Sequence, residues 1–130
     1  MINITKEETK EGTRFTMSKT KIDPDKYIDF VRQTTSQESL DWPTLSSRLT
    51  HLEMHDEANV TQLLTAALGI SAEAGEFTEV VKKIFLQGKP YTEENVFHMK
   101  RELGDIMWYV AQACMALDIS FDEILEMNVE

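Results

Sequence analysis

With 130 residues, 15.0 kDa and 13 basic against 23 acidic residues, the chain is sized for one domain with a real core. Its net charge of -10 excludes an electrostatic grip on a nucleic-acid polymer, which needs a basic footprint, so an anionic substrate would have to be held through a metal. A single cysteine excludes an intramolecular disulfide, and no signal peptide or run of about 18 apolar residues marks a leader or a membrane span.

A cytoplasmic, reducing location is therefore expected, with no membrane partner. A chain this short suits a homo-oligomer better than a monomer with several functional regions. Glycine (5) and proline (3) are scarce and methionine (7) is plentiful, a balance that favours helices, so the predicted fold is all-α, a helical bundle of four to five helices.

Residues 1–22 are rich in Lys, Glu and Thr without a sustained apolar period, and read as a mobile arm preceding a helical domain over 23–130. The first helix is predicted to begin at Asp23-Pro24, an N-cap followed by proline at the first helical position. It should run to about Gln37 with Tyr27, Phe30 and Val31 inward. Trp42-Pro43 is expected to break the chain before a second helix near Thr44, where Leu45, Leu49 and Leu52 recur at helical spacing.

A long third helix from about Asn59 carries Leu63, Ala67, Ile70, Ala74, Phe77, Val81 and Ile84 as one stripe, and Gly88-Lys89-Pro90 ends it. The fourth, capped by Thr92, repeats the pattern through Val96, Met99, Leu103, Ile106, Val110, Ala113 and Leu117. Cys114 in that run reads as a small buried hydrophobe rather than a reactive thiol. Ser120-Phe-Asp-Glu123 is a capping box that opens the last helix.

Two acidic pairs stand beside these stripes. At 100° per residue, with Glu73 as zero, the third-helix stripe covers roughly 20° to 100° and Glu76 falls near -60°. With Glu102 as zero, the fourth-helix stripe covers roughly 20° to 120° and Asp105 falls near -60°. The short connection predicts antiparallel neighbours, which brings both acidic edges to one groove. Register sets Glu76 opposite Glu102 and Glu73 opposite Asp105, two facing rungs about 4.5 Å apart along helices packed roughly 8 to 10 Å axis to axis. Four converging carboxylates would repel unless protonated or bridged by a hard cation, and oxygen ligands suit Mg²⁺ or Mn²⁺ better than zinc. The plain alternative is two solvated acid pairs on amphipathic helices.

Glu73-Ala-Gly-Glu76, 25 intervening residues, and Glu102-Leu-Gly-Asp105, set within Thr65-Ala-Ala-Leu-Gly-Ile and Asp105-Ile-Met-Trp-Tyr109, resemble the MazG-like nucleotide pyrophosphohydrolases over about residues 60 to 130. The likeness is to small single-domain forms such as those of bacteriophages. It implies a Mg²⁺-dependent hydrolase, with Mn²⁺ as a possible substitute, that cleaves nucleoside triphosphates, often deoxynucleotides, between the α and β phosphates. It also implies a homo-dimer or homo-tetramer, acting in the host cytoplasm if phage-encoded.

By the motif, Glu73, Glu76, Glu102 and Asp105 would be the metal ligands. Many relatives carry a further glutamate just before the first motif acid as a candidate base. Here that position is Ala72, which leaves an unligated oxygen of Glu73 or Glu76 for the catalytic role. Lys83, about 20° from Glu76, could reach a phosphate or simply pair with Glu79. Tyr109 and His98 fall within about 40° of Glu102 and could approach a substrate, while Trp108 points elsewhere. Asn128 matches an Asn-x-x-Lys pattern of the last helix, whose lysine lies beyond residue 130 or is absent.

His51-Leu-Glu-Met-His55 lacks the glutamate that a zinc-protease helix needs after its first histidine, and reads as a surface pair. Two readings from other classes stand beside the enzyme: a catalytically weak nucleotide-binding or assembly module of the same fold, and a purely structural oligomer with no metal dependence.

Overall fold

The computed structural model describes residues 2–19 and 21–130, which divide into two compact units, Met1–Leu45 and Ser46–Glu130. The first unit opens with an antiparallel hairpin, β1 (Ile2–Thr9) and β2 (Gly12–Lys19), in which Ile4 pairs with Met17 and Lys6 with Phe15. Period-two alternation of Ile and Thr with polar residues suits a strand. Gly12 takes the positive φ of 127° that closes the turn, and Thr9 Oγ1 donates to Gly12 O at 2.7 Å. The segment expected as an arm without regular structure thus carries paired strands in its described part; Met1 and Thr20 lie outside the described residues.

Helix α1 (Pro24–Thr34) starts as predicted, with Asp23 Oδ1 accepting from Asp25 N at 3.0 Å and proline in the first turn. It stops before Gln37. Thr34 and Thr35 turn their hydroxyls back onto the carbonyls of Phe30 and Val31, local bonds that compete with helix propagation. Tyr27, Phe30 and Val31, expected inward, are exposed. A single extra turn follows, α2 (Gln37–Leu40), which brings the helices among the described residues to six.

Trp42-Pro43 does not break the chain but begins α3 (Trp42–His55). Asp41 Oδ1 accepts from Thr44 N at 2.8 Å, so the dipeptide occupies the first turn, where a proline's missing N–H has no intrahelical partner to lose. Hydrogen bonds from the Thr44 side chain and backbone, and from Gln37, hold the Asp41 carboxyl below its ordinary range.

In the second unit, α4 (Val60–Gln87) and α5 (Glu93–Leu117) form the main packed pair. Asn59 Oδ1 accepts from Gln62 N to open α4, and Gly88, at φ 74°, closes it. Thr92 Oγ1 accepts from Asn95 N, and Asn95 Nδ2 donates to Pro90 O at 2.6 Å, pinning the short loop to the start of α5. Contacts of Gln62 with Gln112, Gly69 with Tyr109 and Glu73 with Glu102 run in opposite chain directions, so the helices are antiparallel as expected. Asp118 in the left-handed region ends α5, and Ser120 Oγ accepts from Glu123 N to start α6 (Phe121–Val129).

The closest-packed positions are small. Ala66, Gly69 and Cys114 are the buried residues of α4 and α5, and the free thiol of Cys114 sits in the seam as the sequence suggests. Ala67, Ala74, Leu103 and Leu117, expected in the stripes, are exposed. On α4 the packed face is therefore turned from the expected stripe toward Ala66 and Gly69, the side on which Glu73 lies.

Candidate active site

That turn decides which acids meet. Glu73 on α4 and Glu102 and Asp105 on α5, all half-buried, each place a carboxylate oxygen within 4.8 Å of the other two. Glu73 thus approaches both acids of α5 instead of facing Asp105 alone. Glu76 is exposed and lies outside this group, so the two expected rungs become a triangle with one acid beside it.

The triangle is electrostatically loaded. A hydrogen bond to Glu102, then partial removal from water, then the charges of Asp105, Glu102 and Glu76 together raise the Glu73 carboxyl above its ordinary range. Two carboxyl groups can bond to each other only by sharing a proton, so Glu73 keeps one where an isolated glutamate would have released it. A hard divalent cation at this position would replace that proton with a charge all three groups favour. All three donors are carboxylate oxygens, the ligand chemistry of Mg²⁺ and Mn²⁺.

Two clefts adjoin the acids. One, of 360 Å³, is lined by Glu73, Asp105, Trp108 and Tyr109. The Tyr109 ring lies directly on Gly69, against the space a β-carbon would take, and stands edge-on to Trp108 with centroids 4.9 Å apart. Trp108, expected to point elsewhere, shares the cleft with the acids and remains 56% exposed. The other cleft, of 490 Å³, runs to the α4–α5 loop and is lined by Lys83, Lys89, Thr92, Glu94, His98 and Glu102 among others. Lys83 Nζ lies 3.4 Å from Glu79 Oε1 while Lys82 Nζ holds Glu79 Oε2 at 2.8 Å. The two lysines hold the Glu79 carboxyl below its ordinary range.

Of the remaining candidates, Asn128 is exposed on α6 and lines neither cleft. His51 and His55 lie with their rings tilted at 37° and centroids 4.5 Å apart on α3, and the acidic triangle is the one group of three or more metal-type ligands among the described residues. The sequence reading missed Gly69 and Lys89. A glycine inside a long helix, one turn before a motif acid, was the available signal for the first, because it weakens the helix unless something packs against it. In the sequence, Lys89 stands out only as part of the Gly88-Lys89-Pro90 helix stop.

A family model, the MazG nucleotide pyrophosphohydrolase domain, matches residues 61–130. The Gene 37 protein of Mycobacterium phage L5 is 38% identical over 73 residues, which span 55% of this chain and 63% of that protein. The chain thus aligns with less than two thirds of that relative's length. No solved structure matches. The matched region takes in α5, α6 and nearly all of α4, and with them both clefts and all four motif acids; the chain belongs to the MazG nucleotide pyrophosphohydrolase domain family.

Proposed function

We propose that the chain is a Mg²⁺-dependent pyrophosphohydrolase that cleaves nucleoside triphosphates, deoxynucleotides among them, to a monophosphate and pyrophosphate. The observation that carries this reading is the convergence of Glu73, Glu102 and Asp105 within 4.8 Å beside an aromatic cleft on one side and a lysine-bearing cleft on the other. Glu73, Glu102 and Asp105 would hold the cation, with Mn²⁺ as a substitute. When bound, the cation supplies charge neutralisation, positioning of the polyphosphate and activation of water.

The chain's own residues supply the rest. Glu76 stands exposed beside the triangle and serves either as a fourth ligand or, left free, as the base that takes a proton from water where Ala72 cannot. Lys83 exchanges its weak pairing with Glu79 for a substrate phosphate. Tyr109, fixed against Gly69, forms a wall of the substrate cleft, and Asn128 contributes from the last helix.

The active form is a homo-dimer or homo-tetramer. Among the described apolar residues only Ala66 and Cys114 are buried, while Leu64, Leu68, Met107 and Met115 leave apolar surface on α4 and α5 uncovered. No helix among the described residues is long and apolar enough to cross a membrane.

The experiment is release of monophosphate and pyrophosphate from a panel of ribo- and deoxynucleoside triphosphates, with Mg²⁺, Mn²⁺ or chelator, beside Glu73→Gln. Metal-dependent release that the variant loses supports the reading. No turnover of any triphosphate by a folded, oligomeric sample refutes it and leaves a binding or assembly module of the same fold.

A further inference from the structure

The two clefts differ in chemistry, and they lie in order along one side of α5. Trp108 and Tyr109 come first, then Asp105 and Glu102, then His98, with all five in the sector between roughly -120° and 0° of Glu102. From Trp108 to His98 the helix rises about 15 Å, a length an extended nucleoside triphosphate can span. At one end is an aromatic pair, Trp108 exposed and Tyr109 half-buried; at the other, two lysines and a histidine gather in a chain whose net charge is -10. The acids stand between.

We propose that the loop-end cleft of Lys83, Lys89 and His98 takes the β and γ phosphates and the departing pyrophosphate, so that the nucleotide lies with its nucleoside toward Trp108 and Tyr109. The inference rests on the pyrophosphohydrolase reading and gives the substrate a direction in the groove. In the reaction, the oxygen of water bonds to the α phosphorus and the bond from that phosphorus to the bridging oxygen breaks. Its electron pair stays with pyrophosphate, and the proton from water passes to a carboxylate. Charge therefore accumulates at the loop end as the bridge breaks, where Lys83 and Lys89 can meet it.

Glu94 is the opposing feature. It lines the same cleft, with its carboxylate 3.9 Å from His98 Nε2 and its own side chain 84% exposed. Its charge would repel an anion in the cleft, so Glu94 weakens phosphate binding and its removal should strengthen it.

The test measures inhibition of the full chain by inorganic pyrophosphate and by the monophosphate product, together with direct calorimetric titration of pyrophosphate in Mg²⁺. Lys89→Ala should raise the pyrophosphate constant and the triphosphate KM by about tenfold, the effect of one charge-assisted contact, and His98→Gln should raise both in the same direction, while both variants leave monophosphate inhibition in place. Trp108→Ala should do the reverse, and Glu94→Gln should tighten pyrophosphate. If Trp108→Ala weakens pyrophosphate and the loop-end variants do not, the nucleotide lies the other way and the inference is overturned. If the wild-type chain turns over no triphosphate, the underlying reading fails instead, and the calorimetric titration still decides: pyrophosphate binding that Lys89→Ala weakens keeps the cleft assignment, and binding it leaves unchanged overturns it.

Discussion

Gly69→Ala probes the contact that turns α4 toward α5. A β-carbon added at Gly69 would meet Cγ, Cδ1 and Cε1 of Tyr109 well inside van der Waals distance, whereas one added at Gly75, on the same helix, meets nothing within 4 Å. The substitution itself favours a helix by about 1 kcal/mol at either site. At Gly75 that gain should appear nearly whole. At Gly69 it is opposed by overpacking of about 1 to 3 kcal/mol, so the net effect should run from nearly neutral to about 2 kcal/mol destabilising.

Chemistry should suffer more than stability. Tyr109 lines the cleft with Glu73 and Asp105, so a ring forced off Gly69 moves into the space beside the acids. Urea unfolding of the two alanine variants, with Mn²⁺ titration of each, reads both effects. Gly69→Ala should fall below Gly75→Ala by about 1 to 3 kcal/mol and lose metal affinity that Gly75→Ala retains. Equal stabilisation of both variants with unchanged Mn²⁺ affinity would refute the argument that the Gly69–Tyr109 contact sets the geometry of the acids.

Glu73, whose carboxyl is raised chiefly by its bond to Glu102, binds more proton in the folded than in the unfolded chain. Its contribution to metal-free stability is therefore present below the ordinary glutamate range and lost as pH rises through the raised folded value; Glu73→Gln should flatten that part of a stability–pH profile. For the same reason, Mg²⁺ binding at a pH between the ordinary glutamate range and the raised folded value should release protons, seen as a buffer-dependent calorimetric enthalpy that Glu73→Gln reduces. Thr92→Ala removes the acceptor of the Asn95 N–H and should cost about 1 kcal/mol by urea unfolding. Cys114, buried and free, should label with a thiol reagent only as fast as the helix pair opens, so its labelling rate should rise steeply with denaturant.

Caps and periodicity made most of the helices legible because they are local signals. Asp23, Thr92 and Ser120 act as the N-caps the sequence suggests, α4 begins just after Asn59, and Gly88 ends it. The hairpin was harder to read. Its apolar residues are few, and alternation with Thr, Lys and Glu resembles the composition of a disordered arm until strand pairing is seen. At Trp42-Pro43 the same proline signal marks either a break or a helix start, and the aspartate before it, capping Thr44, decides for the start.

The acids show how far angular reasoning reaches. Helical spacing and a short antiparallel connection suffice to bring the edges of α4 and α5 into one groove, since neither depends on which side chains pack most closely. Which acid meets which depends on the rotation of each helix, and that is set by size rather than hydrophobicity. Ala66 and Gly69 permit a closer approach than larger stripe residues, so the seam turns toward them and brings Glu73 within reach of both Glu102 and Asp105. Glu76, three residues on and about 60° further round, lies at the margin of that face and stays exposed. Three acids thus meet across the seam while the fourth stays exposed with its carboxylate available, the condition under which a motif lacking an acid at position 72 could still contain a base.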